Sequence, residues 1–532
     1  MVRMRRVVLA GLFALASSCV AAGPALSAGP IVVTTSGALE GVASGSGREW
    51  RGVPYAAAPV GALRFRRPAP AGSWSGVRSA TSFGSACLQP DEFADDGSVA
   101  TTFGSEDCLF LNVFAPFAAA ASSRLPVMVH LHGGGNGFGA GSEDASAFVS
   151  RGVIVVTLNY RLGALGFVGH PALSAEGGGS SGEYGVLDQL AALRWVHDNI
   201  AAFGGNPANV TLFGFSAGSF DTVALMASPL AAGLIRRAAV QGEAYWGLTG
   251  YNAQIADAES FGVEMASGLG CGTATNVPGC LRALPAEELV REAGAMDVAP
   301  WVGGAVLPRS PLELVAQRFQ GVPLLVGFDR EEDSIFEWQY LADPFTNENW
   351  VHTTSLLVGP SLAAKARALY PTSQYESSKW AYITMATDAK RGCPTRRLAN
   401  ANVAHATTYR YLYTHVLEND PFAAPFKAFH GTEDVLLWRK SFYTPTPSEQ
   451  LLSQQMSGYW TNFAKTGDPN GSGLPSWPQY GLATEPVVLL DNQIGLVDRY
   501  HAEQCALLDT VAPFSFEPLG HGRKNGLFDF LP

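Results

Sequence analysis

Charge is scarce in this 532-residue chain. Asp, Glu, Lys and Arg make up 15% of it, and 35 Lys and Arg face 46 acidic residues, for a formal net charge of −11. Positive charges so few and so scattered neutralise a phosphate backbone poorly, which sets nucleic acid aside as a partner. Cysteine is also sparse, with seven in all and no Cys-x-x-Cys spacing, which argues against a zinc or dithiol redox motif. Beyond the first 28 residues no apolar run approaches the ~20 residues that span a bilayer, so no integral membrane segment is expected in the mature chain. Glycine and proline, 59 and 33 residues, fall short of the ~25–30% share of low-complexity chains. What is plentiful is core material: 47% of residues are hydrophobic and 11% aromatic, which excludes a long disordered chain.

The N-terminus has its own composition. Met1 to Arg6 is basic, Val7 to about Ala22 is apolar, and small residues follow at Ala21, Ala22, Ser27 and Ala28. This is the pattern of a signal peptide over residues 1–28, cleaved between about 22 and 28, and it points to a secreted or periplasmic protein. Cys19, after Ala16, Ser17 and Ser18, is a loose match to a lipid-attachment site without the usual leucine, which makes lipid anchoring there a minor alternative. Cleavage leaves Cys87, Cys108, Cys271, Cys280, Cys393 and Cys505. In an oxidising compartment six cysteines suggest a disulfide framework, for which arithmetic allows 15 connectivities. Pairing nearest neighbours would join 87 to 108, 271 to 280 and 393 to 505.

Strand-like and helix-like segments alternate along the chain, with no internal repeat. Residues 126–132 and 153–158 are short, apolar and rich in β-branched side chains, as buried parallel strands are. Val186, Leu190, Leu193, Val196, Ile200 and Phe203 recur at steps of three or four and form one helical stripe. Residues 210–213 then read as a strand and 217–226 as a helix. This order implies an α/β fold with a parallel sheet covered by helices, and no linker divides residues 29–532, so a single domain is expected.

The chemistry concentrates at Gly214-Phe215-Ser216-Ala217-Gly218. A serine hydroxyl is a weak nucleophile unless a sharp turn presents it to a base, and small residues on either side permit a strained strand-to-helix turn. Gly178-Gly179-Ser180-Ser181-Gly182 has the same letters but sits in a polar loop with no strand leading in, so strand context selects Ser216. Upstream, His132-Gly133-Gly134-Gly135 follows a strand, where bare glycine backbone can turn N–H groups toward an oxyanion. His130 and His132 share a strand face. Two such ligands with no third nearby make a poor metal site, and a hydrogen bond bracing the loop is the expected role.

These segments, together with Arg51 to Ala56, Glu106 to Asn112, Asn159 to Arg161, Leu165 to Phe167, Phe203 to Pro207 and Phe463 to Asn470, resemble the type-B carboxylesterases. That family is the cholinesterase-like branch of the α/β-hydrolase fold, with a large, mostly parallel sheet covered by helices on both faces, and the likeness runs from about Gly37 to Tyr480. It implies oxyanion donors at Gly134, Gly135 and Ala217, three disulfides placed like the nearest-neighbour pairs, and a buried ion pair between Glu106 and Arg161. It also implies a triad acid at Glu332, flanked by Glu331 and by Asp333 where the family usually has glycine, and a catalytic base at His430 in His430-Gly431-Thr432-Glu433. The order Ser216, Glu332, His430 is that of an α/β-hydrolase. The remaining histidines are expected on the surface or in the core.

The resemblance implies a serine carboxylesterase acting on small-molecule esters through an acyl-enzyme, with neither metal nor organic cofactor. No oligomeric partner is assigned. A long-chain lipase or sterol esterase is the alternative. A non-catalytic adhesion protein on the same scaffold fits poorly, because such relatives lose the nucleophile. Phe215 departs from the family, which carries Glu before the serine, and the Cys87–Cys108 loop lacks the cation-binding Trp of cholinesterases, with Phe93 and Phe103 as its aromatic surfaces. An apolar wall at Phe215 is therefore expected to favour neutral acyl or aryl esters over choline esters, with activity rising as His430 deprotonates near ~6.5 or lower.

Overall fold

Eleven runs of mostly aliphatic and aromatic residues assemble into one sheet. In chain order they are β1 (Val42–Ala43), β2 (Arg48–Pro54), β3 (Phe110–Ala115), β4 (Leu125–Leu131), β5 (Ile154–Leu158), β6 (Gly205–Phe215), β7 (Arg237–Gln241), β8 (Leu324–Asp329), β9 (Thr408–Tyr413), β10 (Pro486–Leu490) and β11 (Gly495–Asp498). The computed structural model describes residues 29–94, 96–242, 254–294, 298, 300–317 and 320–511. The expected signal peptide with Cys19, and residues 512–532 of the expected domain, lie outside the described residues.

The strand order is β11-β10-β9-β8-β7-β6-β4-β5-β3-β2-β1. The run from β10 through β5 is parallel throughout, and antiparallel pairings are confined to the two edges. Because β6 pairs with β4 rather than β5, the connection reverses between them, and the C-terminal ends of β4, β6 and β8 lie along one edge, where open α/β sheets bind ligands.

Side-chain alternation along each central strand serves two cores. Val127, Val129 and Leu131 of β4, with Leu212 of β6 and Val326 of β8, pack into the core that also receives helices α1 (Tyr184–Asn199) and α2 (Ala217–Ala227). Met128, Phe213, Leu325 and Tyr411 face the opposite side with Trp460 of the long helix Pro447–Thr466. Each fully buried large side chain contributes ~1.5–3 kcal/mol, so helices on both faces are required to cover the sheet. The stripe read as one helix to Phe203 is buried as expected, but its last turn, Ile200–Phe203, tightens to a 3-10 helix and stops at Gly204, whose φ of 95° few other residues adopt.

Disulfides join Cys87 to Cys108, Cys271 to Cys280 and Cys393 to Cys505, the nearest-neighbour pairing. Among the described residues no helix is long and apolar enough to cross a membrane.

The expected Glu106–Arg161 pair does not form. The guanidinium of Arg161 is bound in a fork by Asp188 of α1, with Nε 2.7 Å from Oδ2 and Nη2 2.8 Å from Oδ1. Both residues are buried, whereas Glu106 takes Arg64 at 2.6 Å and 2.7 Å nearer the surface. The Arg161 backbone N–H also donates to Asp188, at 3.1 Å. One carboxylate thus satisfies three donors in a site where an unmatched charge is very costly.

Candidate active site

β6 ends at Phe215 and α2 begins at Ala217, so the whole reversal falls on Ser216, which adopts φ 56° and ψ −128°. That conformation is strained for a residue with a Cβ. The crowding around it explains the flanking glycines. A Cβ at Gly214 would lie 2.1 Å from the Gly218 carbonyl oxygen, and one at Gly218 would lie 2.1 Å from that of Leu131. The Ser216 N–H donates to Gln241 O of β7 at 3.0 Å, which fixes the turn to the neighbouring strand.

Ser216 Oγ lies 2.8 Å from His430 Nε2, and His430 Nδ1 donates to Glu332 Oε1. The backbone adds its own tie, since the His430 N–H donates to the carbonyl oxygen of Glu332 at 3.2 Å. Glu332 Oε2 accepts the N–H of Asp329 at the end of β8. The flanking acids turn elsewhere. Glu331 binds Arg330 at 2.7 Å and accepts the Ala428 N–H at 3.2 Å. Asp333 faces Arg391 at 3.3 Å and Lys390 at 3.6 Å.

Burial, followed by the positive charge of Arg391, holds His430 well below its usual range. Burial, followed by the neighbouring carboxylates Asp329 and Glu433, pushes Glu332 well above the usual carboxyl range. The imidazole is therefore neutral at neutral pH and free to accept a proton. Two rings flank it. Phe215 lies 4.7 Å away between ring centroids and Phe336 lies 5.1 Å away. Sequence spacing offers no hint of Phe336, which reaches His430 only because the short helix after Glu332 turns back over it.

Against the serine runs the loop after β4. A Cβ at Gly133 would sit 2.8 Å from Ser216 Cβ, and Gly134 and Gly135 take φ of 103° and 60°. Ala217 opens α2 on the other side of the serine. His132 braces this loop, with Nδ1 2.8 Å from Gly133 O, its ring stacked 4.4 Å from Tyr160, and its carbonyl oxygen accepting the Tyr160 hydroxyl at 2.8 Å. His130 goes to other neighbours, Phe213 and Trp438. Among the described residues no group of three or more His, Cys, Asp or Glu is placed to hold a metal ion.

Away from this site, Ser180 donates to Glu183 Oε2 at 2.7 Å in the loop between the short helix Pro171–Gly177 and α1. In the first disulfide loop Phe103 is exposed, and Phe93 meets Phe138 edge-on at 6.2 Å.

Residues 28–508 match the Carboxylesterase family. The para-nitrobenzyl esterase of Bacillus subtilis (strain 168) is 35% identical over 504 residues, covering 89% of this chain and 97% of that protein. The cocaine esterase of Homo sapiens is 35% identical over 492 residues, 85% of this chain and 86% of that one. Among solved structures, a PNB esterase superposes with a TM-score of 0.76 at 34% identity and the Geobacillus stearothermophilus carboxylesterase with 0.77 at 32%, each covering 90% of this chain and 99% of the other. The chain belongs to the carboxylesterase family, and it is a carboxylic ester hydrolase built on the α/β-hydrolase fold.

Proposed function

We propose that this protein is an exported serine carboxylesterase in which Ser216, His430 and Glu332 form the catalytic triad and the N–H groups of Gly134, Gly135 and Ala217 bind the oxyanion. The observation that carries this reading is the continuous row of hydrogen bonds from Ser216 Oγ through His430 to Glu332. His430 Nε2 takes the Ser216 proton as Oγ attacks the ester carbonyl carbon, and Glu332 stabilises the imidazolium that forms. Collapse of the tetrahedral intermediate expels the alcohol, which leaves with the proton from His430. Water, deprotonated by the same imidazole, then attacks the acyl-enzyme, and the second tetrahedral intermediate collapses to release the acid as His430 returns the proton to Ser216 Oγ. The oxyanion donors act at both tetrahedral stages.

Neutral acyl or aryl esters are the preferred substrates in this proposal. Phe215 and Phe336 supply apolar faces beside the imidazole, and no carboxylate precedes the serine to attract a cation. The para-nitrobenzyl esterase among the relatives is named for an uncharged group bearing a ring. Comparing kcat/KM for butyrylcholine with that for its neutral isostere 3,3-dimethylbutyl butyrate tests this. A higher value for the neutral ester is expected, and a clear preference for the charged one overturns it. A chain-length series of p-nitrophenyl esters separates an esterase from a long-chain lipase.

Export rests on the leader-like residues 1–28, and three disulfides support it, because such bonds persist in oxidising compartments. Residues from 29 onward are taken as one catalytic domain. Thiol titration of the denatured, unreduced mature protein is expected to find no free sulfhydryl, and two or more would overturn the disulfide framework.

A further inference from the structure

Asp221 has no part in the mechanism above, yet it is fully enclosed in α2. Its partners among the described residues are two side-chain amides and no cation: Asn136 Nδ2 donates to Oδ1 at 3.1 Å, and Gln189 Nε2 donates to Oδ2. Burial without a compensating charge pushes its carboxyl up to about 7. Such a group costs folding free energy, so what it holds is of interest.

Asn136 directly follows the three glycines of the oxyanion loop. Its φ is 55°, a left-handed conformation that asparagine tolerates better than most residues. The same Nδ2 that reaches Asp221 also donates to Val298 O at 3.0 Å, and the Val298 N–H returns to Gly135 O at 2.9 Å. The Asn136 carbonyl oxygen accepts the Gly163 N–H at 2.7 Å. Asn136 is therefore the residue at which the loop carrying Gly134 and Gly135 is tied down, and Asp221 is the anchor of that tie. The anchor stands on the helix whose first residue is Ala217.

We propose that Asp221 is a positioning residue that holds the two halves of the oxyanion hole in register, gripping the Gly134–Gly135 loop through Asn136 and carrying the Ala217 N–H on its own helix. This rests on the oxyanion donors assigned under Proposed function. Donors of this kind stabilise the transition state only when held in place beforehand, and losing one costs about 10²–10³ in kcat. Loosening two of three together without removing any should cost ~10–100-fold.

The test uses Asn136→Gly, which accepts the left-handed backbone and removes the tie, and Asp221→Leu, which keeps the approximate shape and removes the acceptor. Asp221→Asn is the conservative partner. Its Oδ1 still accepts from Asn136, and a turned Gln189 amide, whose Oε1 has no partner among the described residues, accepts from its new N–H2. The readouts are kcat, KM and the inhibition constant of an alkyl trifluoromethyl ketone, which adds to the nucleophile and places an oxyanion in the hole. Asn136→Gly and Asp221→Leu are expected to lower kcat ~10–100-fold with KM within ~3-fold, and to weaken the ketone by the same factor as kcat. Asp221→Asn should restore both to within ~3-fold of wild type. If Asn136→Gly, or Asp221→Leu where that variant alone folds, lowers the melting temperature but keeps wild-type kcat and ketone affinity, Asp221 is structural only and the proposal falls. If the ketone fails to inhibit the wild-type enzyme, the oxyanion assignment itself falls, and this proposal with it.

Discussion

The segments 178–182 and 214–218 carry the same Gly-x-Ser-x-Gly letters and have little else in common. In the first, an added side-chain carbon at Gly178 would meet nothing within 4 Å, one at Gly182 would lie 2.9 Å from the Gly169 nitrogen and 3.0 Å from the Phe167 carbonyl oxygen, and the serine is occupied by Glu183. In the second, carbons at Gly214 and Gly218 would each come within 2.1 Å of a backbone oxygen, and the serine stands at a positive φ facing an imidazole. The difference lies in what the missing Cβ atoms allow. At 214–218 their absence lets a strand, a helix and the Gly133–Gly135 loop converge on one hydroxyl, whereas at 178–182 it makes room only at Gly182, for the backbone of Phe167 and Gly169. A motif of this kind identifies chemistry when both of its glycines make room for neighbouring backbone around the serine.

The comparison can be broken most decisively at the two serines' own reactivity. Ser216→Ala should lower kcat for p-nitrophenyl acetate by at least ~10⁴-fold while the protein stays folded, and a serine-directed organophosphate should label Ser216 alone, as read by peptide mass spectrometry. A label on Ser180 would reverse the comparison. The next effect concerns Glu332, the acid proposed for the triad. Glu332→Gln should lower kcat ~10³–10⁴-fold, as loss of a triad carboxylate does, and Glu331→Gln by less than ~3-fold. Comparable losses in both would mean that the acid loop acts as a unit.

Smaller effects sharpen the environment of the proposed nucleophile. Phe215→Glu places a carboxylate beside it and should raise the ratio of kcat/KM for butyrylcholine to that for its neutral isostere about tenfold, equivalent to ~1.4 kcal/mol. The pH profile tests the imidazole. A general base works when neutral, so activity rises with pH through its pKa, and because burial and Arg391 lower that pKa the acid limb of kcat/KM should lie below 6.5. At pH 6.5 the rate should be within twofold of its plateau, and a limb centred above 6.5 would contradict the direction. Least of all, Ser180→Ala should leave kcat/KM unchanged, and its lost hydrogen bond to Glu183 should cost about 1 kcal/mol of stability, measured by urea unfolding.

Much of this was legible in the residues, and what was legible is local. Strand 125–131, the serine turn and the glycine loop show in runs of a few residues, because hydrophobic alternation and steric demands act between near neighbours in sequence. The proposed acid is harder to read. Glu331, Glu332 and Asp333 are alike as letters, and Arg330, Lys390 and Arg391 draw off the other two only after strands far apart in sequence have paired. Arg161 shows the same limit, since its partner is fixed by where α1 crosses the sheet. Asp221 and Asn136 gave no signal at all, because an aspartate on a helix and an asparagine in a loop are ordinary until burial brings them to 3.1 Å.

The bridge between Cys393 and Cys505 makes a covalent ring of 112 residues in sequence separation, and His430 lies inside it while Ser216 and Glu332 lie outside. A protease that cuts the chain once within the ring therefore cannot part His430 from Ser216 and Glu332. The two pieces remain linked through sulfur, migrate as one species without reductant and separate into two with it. A single cut between the second bridge and Cys393 has no such protection and yields two covalently independent pieces. His430 is thus joined to Cys393 by two covalent routes, whereas Ser216 and Glu332 are joined to that cysteine by one.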